Sequence, residues 1–262
     1  MLKRGQVTIL VIVGVVILFA FIFVYMLRSG YIEKVVQTGD VSKRLELEFD
    51  SIKNEQIGSC ISKETNSAMK LIGDNGGYLT SIDKAGFYGQ QFTVLCKPIL
   101  NEPAKCARSA LDVNFLEQRL QEHLKEQLFK CIDLSAYREK DYILQDGEIK
   151  TDVKINLKNV IITVDYPVSI SKGAIAFNTS VFKIDVNVPL REMLFVVNDV
   201  LNTESNGQFF HIASYSLSHP RYEVKEYSLA PRKFYVIRNY DSNYAFRFAV
   251  ENYQQKEGMP AK

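Results

Sequence analysis

The sequence predicts an α+β protein: an N-terminal transmembrane helix, two or more amphipathic helices, and an antiparallel sheet built from meander and hairpin strands. Three observations carry this. Residues 7–27 run VTILVIVGVVILFAFIFVYML without one Asp, Glu, Lys or Arg; apolar residues recur at helical spacing between 40 and 131; and from Asp146-Gly147 onward the period drops to two.

At about 1.5 Å rise per residue, the first run reaches roughly 30 Å, the thickness of bilayer hydrocarbon. A helix satisfies its own backbone hydrogen bonds, so lipid holds even this Val- and Ile-rich run helical. Tyr25 and Arg28 mark the far interface, while Lys3 and Arg4 precede the run, which by the positive-inside bias puts the N-terminus in the cytoplasm and the rest of the chain outside the cell membrane. The apolar run is too long for an ordinary cleaved secretory signal, and FVYMLRSG offers no small-x-small cleavage site.

The junction Lys3-Arg4-Gly5-Gln6-Val7-Thr8 is more specific. It resembles the class III signal peptide of archaeal type IV pilin-like cell-envelope proteins, in which a short basic leader ends at a Gly and Gln opens the apolar helix. The resemblance implies cleavage between Gly5 and Gln6 by a prepilin-type peptidase, and other pilin-like subunits as partners. Thr8 matches the hydroxyl residue usual at the third mature position. Leu10 stands at the fifth, where such pilins carry a Glu for a neighbouring subunit's amino terminus, so the resemblance implies an anchored protein or a minor filament component. Cys60-Ile61 and Gly76-Gly77-Tyr78 are similar to a pattern in archaeal envelope proteins with the same leader, and imply no activity.

Of 32 basic residues, Lys3 and Arg4 precede the span, so 30 basic face 30 acidic residues in the remainder, which is formally neutral. A neutral domain lacks the footprint expected for wrapping nucleic acid, and no such partner is expected. Cys60, Cys96, Cys106 and Cys131 all follow the span, and an even number outside the membrane suggests disulfides. Of three pairings, Cys96 with Cys106 is favoured by the short Pro-turned loop LCKPILNEPAKC, and Cys60 with Cys131 because both fall on predicted helices. Zinc is the rival, against which stand the lack of C-x-x-C and of a nearby His. Free buried thiols follow if the topology is inverted.

After the span, 29–39 reads as a short stalk. From Asp40, a predicted N-cap, Val41, Leu45, Phe49, Ile52, Cys60, Ile61, Ala68 and Ile72 mark an amphipathic helix with breaks at Gln56 and Gly58, ended by Gly73-Asp74-Asn75-Gly76-Gly77. That glycine segment closes a helix instead of opening one after a strand, so it is a turn and not a phosphate loop. Residues 78–112 read as irregular, anchored by Tyr78, Phe87, Tyr88 and Phe92. Asn114 and Glu117 form a capping-box variant before the stripe Leu116, Leu120, Leu124, Leu128 and Cys131, with His123 on the solvated face.

Alternation then predicts strands at 153–157, 160–170 and 174–188, with Pro167 at an edge or bulge. A helix at 190–201, opened by Pro189, should cover this meander. Residues 222–229, 234–237 and 244–250 read as further strands, the last two as a hairpin. The resulting division is 1–5 leader, 6–28 span, 29–39 stalk, 40–145 helical subdomain with Cys loop, 146–253 α+β sheet subdomain, and 254–262 flexible tail.

Asn178-Thr179-Ser180 fits an N-glycosylation acceptor, which a mid-strand position would block. His211 and Ser214 offer a base and a nucleophile without a nucleophile elbow, and Asp165 and Asp185 are expected to face water. No catalytic, cofactor or metal residue is nominated. The function read from the sequence is a non-enzymatic, single-pass, membrane-anchored surface protein serving display or adhesion. The alternative is a tethered ligand-binding or sensing module, with a groove beneath the 190–201 helix or under the aromatics around Phe87.

Overall fold

The computed structural model describes residues 4–28, 31–80, 82–100, 102–109 and 111–251, with side chains given in the first helix over 12–26 and in the second from residue 40. The tail predicted at 254–262 and residues 1–3 of the leader lie outside these. The first helix, α1 (Arg4–Arg28), has 25 residues. Among the described residues, no helix is long and apolar enough to cross a membrane, and the described side chains of α1 form a run shorter than the roughly 20 residues a span needs.

The second helix, α2 (Tyr31–Asp50), begins well before the Asp40 cap read from the sequence, so most of the stalk segment is helical. A π-helical turn (Ser51–Gly58) then joins it to α3 (Ser59–Asp74). This explains the break in the apolar spacing: Ile52 and Ile57, both fully buried, stand five apart, the hydrogen-bond step of a π-helix. Gly76 and Gly77 then take positive φ (63° and 93°), and the Gly77 N–H donates to the Ile72 carbonyl, closing α3 as a structural turn.

Residues 78–112 are not irregular. They supply β1 (Lys84–Phe87), β2 (Gln90–Ile99) and β3 (Glu102–Arg108), so the stretch expected as a Cys loop is a β2–β3 hairpin. Next come α4 (Val113–Cys131), α5 (Ser135–Arg138), β4 (Ile143–Asp146), and the meander β5 (Lys150–Ile155), β6 (Val160–Lys172) and β7 (Ile175–Val186). The chain finishes with α6 (Leu190–Ser205), α7 (Ile212–Ser218), β8 (Tyr222–Leu229), β9 (Arg232–Asn239) and β10 (Ala245–Glu251).

Two sheets result. The larger runs β1-β2-β10-β9-β8 with β3 also on β2; the smaller has β6 flanked by β4 and β5 and, on its other pairing, β7. Every pairing is antiparallel except β2 with β10. The larger sheet therefore takes strands from both sides of residue 145, so the two stretches share one structure. Pro167 sits at the register shift in the β6–β7 pairing, and its carbonyl accepts from Gly147 N–H where β4 gives way to β5. The bulge accommodates the missing donor.

One contiguous core joins helices and both sheets. Helix α3 touches α4, β7 and β10, and α4 lies on β5 with Leu116, Leu120, Leu124 and Leu128 buried. The helix α6 does not cover the meander. It packs on β2, β3, β9 and β10, because α2 to α4 already take the inner face of the smaller sheet, where Phe49 stacks on Phe177. The expected capping box is also absent: Asp112 is the α4 N-cap, and Glu117 instead accepts from Ile155 N–H at 2.7 Å, finishing strand β5.

Candidate functional site

A concavity of about 830 Å³ lies between the C-terminal half of α4, α5 and the β4–β5 turn. Its apolar surface comes from Phe129, Ile132, Leu134, Ile149 and Tyr166. Phe129 falls off the buried leucine stripe of α4 and is 80% exposed. Such an apolar hollow with a few polar groups is the usual form of a small-molecule site.

The rim is charged but internally matched. Lys125 pairs with Glu148 at 2.8 Å, Lys130 with Glu126 at 2.6 Å, and Arg138 with Asp146 at 2.5 Å. The Tyr166 hydroxyl donates to the second Asp146 oxygen at 2.9 Å. Burial, then the Asp146 hydrogen bond, pushes the Tyr166 phenol far above its ordinary value, while the lysine hydrogen bonds hold Glu126 and Glu148 low. These groups keep their protons or charges at neutral pH. The arrangement suits holding an apolar body among fixed ion pairs, and it presents no activated nucleophile.

Both disulfides favoured from the sequence are formed, Cys60–Cys131 and Cys96–Cys106. The first ties α3 to the end of α4, where the neighbouring Lys130 and Ile132 line the groove. The second joins β2 to β3, with both cysteines buried.

The other nominated residues do not converge. Gly5 and Gln6 lie in the α1 backbone, and the Gln6 side chain is outside the described residues. Asn178 is exposed on β7, opposite Ser169 in the ladder, so the acceptor triplet lies within a strand. His211 is the α7 N-cap and Ser214 lies in that helix; both are exposed, and no hydrogen bond joins them among the described residues. His123 is half-buried instead of solvated, and burial lowers its pKa despite Glu126 and Glu64 nearby. Asp185 is exposed and accepts from Asn159 at 2.7 and 2.8 Å, whereas Asp165 is partly covered. Among the described residues no group of three or more His, Cys, Asp or Glu could hold a metal ion. Beneath Phe87 there is a cavity of about 320 Å³.

A buried charged cluster escaped the sequence reading. Glu204, with no exposed surface, accepts from Lys233 and from the Tyr235 hydroxyl at 2.7 Å, and that hydroxyl also lies 2.9 Å from Glu226. A phenol has one proton, so it serves one carboxylate at a time, and Lys233 covers Glu204 from another side. The signal was present: Glu204 continues the α6 stripe three residues after Leu201. Comparison with known proteins adds no assignment, since no family model, curated protein or solved structure matches the chain.

Proposed function

We propose that this chain is a single-pass, membrane-anchored cell-surface protein, pilin-like in its leader, whose disulfide-bonded α+β domain stands outside the cell and serves display or adhesion. The observation that carries the reading is α1: every described side chain from Ile12 to Met26 is exposed, and none is charged. In water such a surface is costly, at about 25 cal/mol per Å² of apolar area. A bilayer, or the spans of other pilin-like subunits, removes that cost. Residues 6–28 then form the span, the N-terminus is cytoplasmic, and a prepilin-type peptidase cuts between Gly5 and Gln6. The two disulfides fit an oxidising exterior.

The test is the intact mass of the protein extracted from its native membrane, with and without reduction after thiol blocking. A chain beginning at Gln6 with two disulfides is expected. A chain retaining Met1 removes the pilin kinship, and four free thiols remove the outward topology. A second reading, a tethered ligand-binding or sensing module, is favoured by the 830 Å³ groove and the 320 Å³ cavity under Phe87.

A further inference from the structure

The cavity under Phe87 is built by a tight turn. Phe87 and Gln90 face each other in the β1–β2 register, so Tyr88 and Gly89 alone make the bend, with φ of 45° and 78°. Both central residues of such a turn need positive φ, which Asn, Asp and Gly adopt with ease and a bulky aromatic residue does not. Tyr88 nevertheless occupies it, is 92% exposed, and meets the neighbouring ring of Phe87 only edge-on at 4.6 Å. The anchoring of the hairpin falls to Phe87, stacked at 4.7 Å on Phe234 and 5.4 Å from Tyr227. Backbone strain at an exposed aromatic residue on the lip of a cavity makes that residue a candidate for contact with something outside the chain.

The opposite wall carries three cations and one carboxylate, Lys225, Arg238 and Arg247 with Glu223, which stands across the ladder from Arg238. Lys225 is answered by Glu223 at 3.0 Å and Arg247 by Asp74 at 3.5 Å. Arg238, exposed on β9, has no ion pair among the described residues. Its planar fork suits a carboxylate held by two hydrogen bonds, and one unmatched cation suits one negative charge. The volume, about 320 Å³, is at the small end of ligand sites, enough for one ring against Tyr88, Phe92 and Tyr227.

We propose that this pocket binds a small monocarboxylate bearing a single ring, its carboxylate on Arg238 and its ring face on Tyr88. The proposal rests on the ligand-binding reading and names its site and ligand class. An aryl carboxylate and a uronic acid share this chemistry, and the test separates them.

The experiment uses the full chain in neutral detergent micelles, with empty micelles as the blank. Saturation-transfer NMR titrations compare phenylacetate and glucuronate with their uncharged counterparts phenylethanol and glucose. One or both carboxylates should bind at least tenfold more tightly than the matching neutral probe, and which one binds identifies the source. Arg238→Gln should lower that affinity about tenfold. Tyr88→Asn should weaken binding several-fold while raising the melting temperature, because Asn fits the turn, so lost affinity is not lost folding. If no carboxylate binds, the pocket has no such ligand. If binding survives both substitutions unchanged, the ligand sits elsewhere and the ligand-binding reading stands without this site.

Discussion

Lys233 reaches both carboxylate oxygens of Glu204, at 2.7 and 2.9 Å, at a point where Glu204 has no exposed surface. A buried pair of this kind is poorly described as glue, because desolvation offsets much of its attraction, yet removing one partner strands the other charge. Lys233→Met should therefore cost about 3 kcal/mol in chemical denaturation. The double substitution Lys233→Met with Glu204→Leu should recover more than half of that loss. A double variant as unstable as the single one would show that the pair itself, and not the stranded carboxylate, sets the cost.

Acid should weaken the domain through His123. Burial is the largest influence on it and holds its folded pKa below the ordinary 6.5, against the opposing pull of Glu126 and Glu64. With the folded value depressed, the unfolded chain binds the proton first as pH falls. This contribution is whole above pH 6.5 and is lost on acidification below it. His123→Gln should flatten the melting temperature between pH 7.5 and 5 relative to the unsubstituted protein; equal slopes would refute the assignment.

Close approach of α3 to β10 depends on Gly73. A Cβ there would lie 2.3 Å from the Ala245 carbonyl oxygen and 3.0 Å from the Tyr244 hydroxyl oxygen. Backbone cannot yield as a side-chain tip does, so Gly73→Ala should cost about 2–3 kcal/mol despite the better helix propensity of Ala. Thermal melts of the variant decide it, and an unchanged midpoint would mean that α3 shifts freely.

The two disulfides close loops of different length, with sequence separations of 71 and 10. Loop entropy gives about 4 kcal/mol for Cys60–Cys131 and about 3 for Cys96–Cys106. Paired Cys→Ser variants, measured by denaturant titration, should fall in that order. The reverse order would mean that the hairpin cross-link, not chain entropy, dominates.

Regular one-sided burial was legible from residues alone. The α4 leucines and the alternation of Val160, Ile162 and Val164 each report one covered face, and all are buried. Strand β2 was not legible, because Phe92 to Cys96 are all buried: Leu95 and Cys96 enter the main core while Phe92 and Val94 pack with Phe234 and Ala249 on the other face. A strand covered on both sides has no alternation to read. Its partner β10 lies far along the chain, and no local period encodes such a pairing. The aromatics around Phe87 did point to a groove there, but the same limit hid its far wall, since Arg238 comes to line it only through pairing across the sheet. The disulfide pairing was legible because one pair bracketed a short turn and the other fell on two helices.

The parallel ladder between Val94 and Ala249 sets an order of events. β10 lies between β2 and β9, so β9 with β8 cannot join the first-made strands until residues 245–251 have arrived. During synthesis, an unfinished chain has no complete larger sheet. The smaller sheet, by contrast, needs nothing beyond residue 186, so one half of the fold can set early while a single late strand commits the other.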